Sequence, residues 1–171
     1  PATQVAHHSV SQTQIALLEF GGHDCNFDWP AIAADPGGHY QPATPVDVFR
    51  KVYGEVILSL RSQGYTPVLL TLPPLDAERY FDWFTRGGLD KDAILFWLGD
   101  VQFIYRWHEG YNDIVWELAV EYDCPVIDIR ANFLHQKNVS SLLCMDGIHP
   151  NRAGHKLIEQ AVLEYAANYS R

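Results

Sequence analysis

Cysteine is scarce in this chain, and its three copies, Cys25, Cys124 and Cys144, form no pair at zinc or redox spacing. That excludes a disulfide framework and a Cys-based metal knuckle, and it suits free thiols in a reducing compartment. Basic residues are few and never clustered, and the net charge is −9. Phosphate neutralisation needs gathered Lys and Arg, so a nucleic-acid partner is not expected. No apolar run is long enough to span a bilayer. No basic start followed by an apolar segment marks a signal peptide either. These absences point to the cytoplasm, with secretion after leader removal left open. Internal repeats, low-complexity tracts and long linkers are absent too.

What is present describes an ordered globule. Of 171 residues, 47% are hydrophobic and 13% aromatic. One domain of this size builds a core without disulfides or metal. Three short apolar runs, Ile15 to Phe20, Pro67 to Leu72 and Pro125 to Ile129, lack strict alternation. They read as strands covered on both faces, as in a parallel sheet.

Helical patterns lie between and after these runs. One opens with Thr44 as N-cap and Pro45 in the first turn, and stops at Gly64. Its expected apolar face is Val48, Val52, Val56 and Leu60 with Phe49 and Ile57. A second pattern runs from Asp90 to about Tyr122, bent or broken at Gly99 or Gly110. Trp97, Trp107 and Trp116 on its stripe are expected in the core. The last covers Asn151 to Tyr169, with Leu157, Ile158, Ala161, Val162 and Tyr165 inward. This alternation predicts a doubly wound α/β layer fold. Ligands of such sheets sit beyond the carboxyl ends of the strands. The polar and aromatic oddities of the chain collect in those segments, Gly21 to Trp29, Pro73 to Arg86 and the residues after Arg130.

Two segments carry chemistry. Asp146-Gly147-Ile148-His149 places a carboxylate three residues before an imidazole, on a loop leading into a helix. A carboxylate that orients a His makes a general base, which needs a nucleophile to activate. Gly21-Gly22-His23-Asp24 ends a strand in a glycine-rich turn bearing side-chain donors, suited either to an oxyanion or to simple turn capping. Asn26 is a spare amide three residues on from His23. His7, His8, His23, Asp24 and His39 match no metal-ligand spacing, so no metal or other cofactor is expected. His135 reads as a surface residue, and His155 as a packing or capping group. Asp76, Glu78 and Arg79 read as a solvated turn or a substrate mouth. Trp29, Tyr80, Phe81, Trp83 and Phe84 suit core packing or a lid equally well.

Together the two segments resemble blocks III and V of the SGNH (GDSL-like) hydrolases. Block V, Asp-x-x-His, is matched by Asp146 and His149; block III, Gly-x-Asn-Asp, is matched except that His23 replaces Asn. The stretches LTLPPLDAERYF and WLGDV between them are similar to a bacterial branch of that family, so the likeness runs from about Ile15 onward. The resemblance implies a flavodoxin-like three-layer α/β/α fold and Ser-dependent hydrolysis of small or medium acyl esters, such as a carbohydrate acetyl ester or a lipid. It implies His149 as base and then acid, Asp146 as its orienter, and Gly22, His23 and Asp24 at the oxyanion and substrate.

The family's Gly-Asp-Ser block and the Gly of block II normally precede block III, and neither is found here. Ser9 and Ser11, beside His7 and His8, lie in no strand-to-helix elbow. The strand Ile15 to Phe20 would be left as an apolar edge, so a preceding or complementing segment, or a second copy of the chain, is expected to cover it. The rival reading is a binding or regulatory module that kept the fold and lost catalysis.

Overall fold

The computed structural model describes residues 14–169. Three parallel strands, β1 (Gln14–Leu18), β2 (Tyr65–Leu70) and β3 (Val126–Ile127), form one sheet in that order. Gln14 to Leu18 pair with Tyr65 to Leu69, and Leu69 and Leu70 pair with Val126 and Ile127. Around them lie α1 (Trp29–Ala34), α2 (Val46–Ser62), α3 (Ala77–Thr85), α4 (Lys91–Leu98), α5 (Phe103–Glu121), α6 (Ile129–Leu134) and α7 (Arg152–Tyr169).

The period-two alternation of a strand sends successive side chains of β2 to opposite faces. Leu69 meets Phe49, Tyr53 and Ile57 of α2 and Tyr111, Val115 and Leu118 of α5. Val68 and Leu70 meet Ile127, Ile129 and Ala161 of α7. Helices on both sides of a parallel sheet make the three layers predicted from the element order. Each fully buried Ile or Leu here contributes about 1.5–3 kcal/mol. A third cluster, Phe27, Trp29, Ile32, Ala77, Phe81, Ile94, Leu98 and Ile104, packs α1, α3 and α4 against the start of α5.

Several expectations shift in detail. Only β2 is covered on both faces. In β1, Ile15 and Leu17 are 37% and 46% exposed. Thr44 does not cap α2; its hydroxyl donates to Asp24 Oδ1 at 2.8 Å, and Pro45 holds the cap position without a side-chain bond. The buried face of α2 is Phe49, Tyr53 and Ile57, while Val48 and Val52 stay exposed. The Asp90–Tyr122 pattern is two helices, because Gly99 adopts φ 70° and ends α4; Gly110 continues α5 unbroken. Trp97 and Trp107 pack in the aromatic cluster, but Trp116 is exposed. Of the inward set on α7, Ala161 is buried and Ile158, Val162 and Tyr165 pack against it.

Candidate active site

β1 ends in a turn that the side chain of Asp24 closes. Its Oδ2 accepts from the Gly21 N–H at 3.1 Å and its Oδ1 from the Thr44 hydroxyl. Gly21 sits at φ 126°, and a Cβ there would meet Leu72 Cδ1 at 2.9 Å, so only glycine fits. Asp24 is therefore committed to the turn. Among the described residues the Gly22 N–H has no acceptor, and the His23 side chain is exposed with no hydrogen bond holding it.

The end of β2 is tied down by polar groups from other elements. Buried Asn112 accepts from the Leu72 N–H at 3.0 Å, and the Thr71 hydroxyl donates to Asp128 at 2.9 Å. Arg130, itself buried, donates to the Leu72 carbonyl and pairs with Glu109.

The loop before α7 is built by local chemistry. Leu143 and Pro150 form an antiparallel bridge, and the Cys144 N–H donates to the His149 carbonyl at 2.7 Å. Asn151 Oδ1 accepts from the Ala153 and Gly154 N–H groups and starts α7. Within the loop, Asp146 Oδ1 accepts from the Ile148 and His149 N–H groups at 3.0 and 3.1 Å. That leaves Oδ2 for the His149 ring, 2.7 Å from Nδ1. Burial pushes the Asp146 carboxyl up, but the His149 ring and the two backbone donors outweigh it, and the carboxyl stays below the ordinary range. An ionised carboxylate at Nδ1 keeps the proton there and leaves the Nε2 lone pair directed away from it.

Both segments line one cleft of about 670 Å³ at the carboxyl ends of the strands. Gly22, His23, Asp24, Asn26, Ile148 and His149 are on its wall, with Tyr80 and Trp107 beside them. Asp146 thus contacts a His149 that shares the cleft wall with the Gly21–Asp24 turn. His155 is exposed at the cleft rather than packed, and His135 is exposed on the surface. Asp76 caps α3, taking the Arg79 N–H at 3.1 Å and the Ser140 hydroxyl at 2.6 Å, instead of forming a solvated turn. Trp29 stacks on Phe84 at 4.4 Å as part of the core, not as a detachable lid. Among the described residues no group of three or more His, Cys, Asp or Glu side chains is placed to hold a metal. His7, His8, Ser9 and Ser11 lie outside the described residues.

One group escaped the sequence reading. His108 lines the cleft from α5, buried, with no partner for Nδ1. Burial, reinforced by the Arg130 charge, pushes it down to about 3, so it stays neutral. Its spacing from Ile104 and Tyr111 on the apolar stripe was the available signal. Tyr80, expected in the core or a lid, also reaches the cleft, its hydroxyl donating to Asn26 Oδ1 at 2.9 Å.

Similarities to known proteins follow the same lines. The family model for the GDSL-like lipase/acylhydrolase family matches residues 2–157. No curated protein matches the chain. The fold is similar to a lipase/acylhydrolase from Enterococcus faecalis (TM-score 0.55, 17% identity), covering 90% of this chain and 60% of that one. It is also similar to LAE5, an α/β hydrolase enzyme from the Lake Arreo metagenome (TM-score 0.57, 19% identity, 88% and 57% covered). A third likeness is to Axe2, an acetyl-xylooligosaccharide esterase from Geobacillus (TM-score 0.55, 16% identity, 88% and 57% covered). At such identities the likeness speaks for the fold, and the chain spans less than two thirds of the length of these structures. The family match runs through both the glycine turn and the Asp-x-x-His loop, so the chain belongs to the GDSL-like lipase/acylhydrolase family.

Proposed function

We propose that the complete protein hydrolyses small or medium acyl esters through an acyl-enzyme. The observation that carries this is the 2.7 Å contact of Asp146 with His149 Nδ1 on the wall of an open cleft. In the first step a hydroxyl attacks the ester carbonyl carbon while His149 Nε2 takes its proton. The tetrahedral intermediate collapses, and the same proton passes to the departing alcohol. Water then repeats the sequence on the acyl-enzyme and releases the acid. Asp146 holds the tautomer and stabilises the imidazolium formed in each half. The unengaged Gly22 N–H suits the developing oxyanion.

The attacking hydroxyl comes from outside residues 14–169. Cys25 is the one thiol on the cleft wall, but its Sγ donates to the Gly22 carbonyl. Burial pushes that thiol up to about 12, leaving it no nucleophilic thiolate. Among the described residues β1 pairs on one edge only and leaves Ile15 and Leu17 exposed, which supports a Ser-bearing segment that pairs there. The acetyl-xylooligosaccharide esterase among the structural likenesses favours an acetylated carbohydrate over a long-chain lipid.

A fluorophosphonate probe should label the native full-length protein, and His149→Ala should abolish both labelling and p-nitrophenyl acetate turnover while leaving the thermal transition in place. A native protein that neither labels nor turns over sinks this reading. It would establish the second one, a catalytically silent binding module, which the lack of a usable nucleophile among the described cleft residues favours.

A further inference from the structure

Asn26 lies two residues past the glycine turn, and its amide has a determined orientation. Trp29 Nε1 is 2.9 Å from Oδ1, and the Tyr80 hydroxyl donates to the same oxygen at 2.9 Å. An indole N–H can only donate, so the atom facing it has to be the amide oxygen. The NH2 group is thereby turned away from Trp29 and Tyr80, and among the described residues it donates to no side-chain or backbone acceptor. Asn26 is half-buried and lines the same cleft as His149.

The partners that orient this amide are themselves rigid. Trp29 is buried and stacks flat on Phe84, with an interplanar angle of 7°. Tyr80 belongs to α3, whose first turn abuts the catalytic loop: the Asp76 N–H donates to the Gly147 carbonyl at 2.8 Å. One helix thus braces both the amide and the loop carrying Asp146 and His149. His23, the residue at the family's Asn position, has no comparable brace and stands exposed.

We infer that Asn26, not His23, supplies the side-chain N–H that stabilises the oxyanion, with Trp29 and Tyr80 fixing which end of its amide faces the substrate. This assignment rests on the hydrolase reading. Asn26 is the catalytic residue in it and Tyr80 a positioning residue. An amide oriented before the substrate arrives needs no reorganisation as charge develops on the carbonyl oxygen.

The test uses the native full-length protein with p-nitrophenyl acetate. Asn26→Ala should lower kcat by about 10²–10³-fold, the usual cost of one oxyanion donor, with little change in KM. His23→Ala should lower it by less than about tenfold, because an exposed, unbraced ring contributes little preorganised stabilisation. Asn26→Asp keeps the acceptor for Trp29 and Tyr80 while removing the donor, so it should lose activity even if Asn26→Ala fails to fold. Tyr80→Phe should lower kcat several-fold in the parent and have no further effect beside Asn26→Ala, a coupling that a merely structural role would not produce. An active parent with Asn26 variants at parental kcat, or a larger loss from His23→Ala, overturns the assignment alone. A parent that neither turns over nor takes a fluorophosphonate overturns the hydrolase reading and this assignment with it.

Discussion

His108 shows how a single buried ring ties this fold to pH. Its ring is neutral in the folded protein, held down to about 3 by burial and by Arg130. The unfolded chain frees it to protonate near the ordinary histidine value of 6.5. Between those two values the unfolded state binds more protons, so folding stability falls as pH drops. The contribution is complete above pH 6.5 and is lost progressively toward pH 3. At pH 5 the loss is on the order of 2 kcal/mol. The lowered carboxyls of Asp76 and Asp146 act in the same direction, but only below the ordinary aspartate value of 3.8. His108→Leu removes the titration and the unpartnered Nδ1 together. Its melting temperature should therefore vary less between pH 7 and pH 5 than that of the parent, by about 4–8 °C for a domain of this order. Equal slopes for the two proteins would show that His108 is not buried neutral.

Among elements, the loop between Leu143 and Asn151 depends most on a single backbone position. Gly147 adopts φ 77°, and a Cβ there would lie 2.8 Å from both the Asp76 carbonyl and the Tyr80 N–H nitrogen. Those are backbone atoms of the start of α3, which cannot swing aside as a side chain would. Gly147→Ala should cost about 1–3 kcal/mol from the left-handed conformation and the contact with α3. It should also displace Asp146 from His149, so differential scanning calorimetry should show a lower transition and kcat should fall with it. Unchanged values of both would mean the loop has room to move away from α3. Aspartate recurs at the starts of the short helices: Asp28, Asp76, Asp90 and Asp128 each accept the N–H three residues on. Each cap is worth about 1 kcal/mol. Part of the chain's acidic excess is thus structural, and α1, α3 and α6 went unread because they are too short for a clear apolar period.

At the scale of the whole molecule, the sheet is asymmetric. β2 is enclosed by α2 and α5 on one face and by β3's neighbours on the other, whereas β1 pairs with β2 alone among the described residues and leaves Ile15 and Leu17 exposed. Edge strands that present apolar side chains are aggregation templates unless something pairs with them. In the intact protein, the β1 amides pointing away from β2 should exchange with deuterium as slowly as those of β2 if a nucleophile-bearing segment pairs there. Fast exchange at those amides beside slow exchange in β2 would leave the nucleophile to be delivered by some other route.

Sequence alone determined the layer order of the fold and the Asp146–His149 contact. Both are short-range: strand and helix periods are written in neighbouring residues, and an Asp reaches an imidazole three positions on when a glycine allows the turn. Tertiary structure decided the orientation of the Asn26 amide and the burial of His108. Tyr80 is 54 positions from Asn26 in the chain, and no local pattern records which helix will cover which face of a strand. Where the chemistry depends on a contact between distant segments, only the packed molecule contains the information.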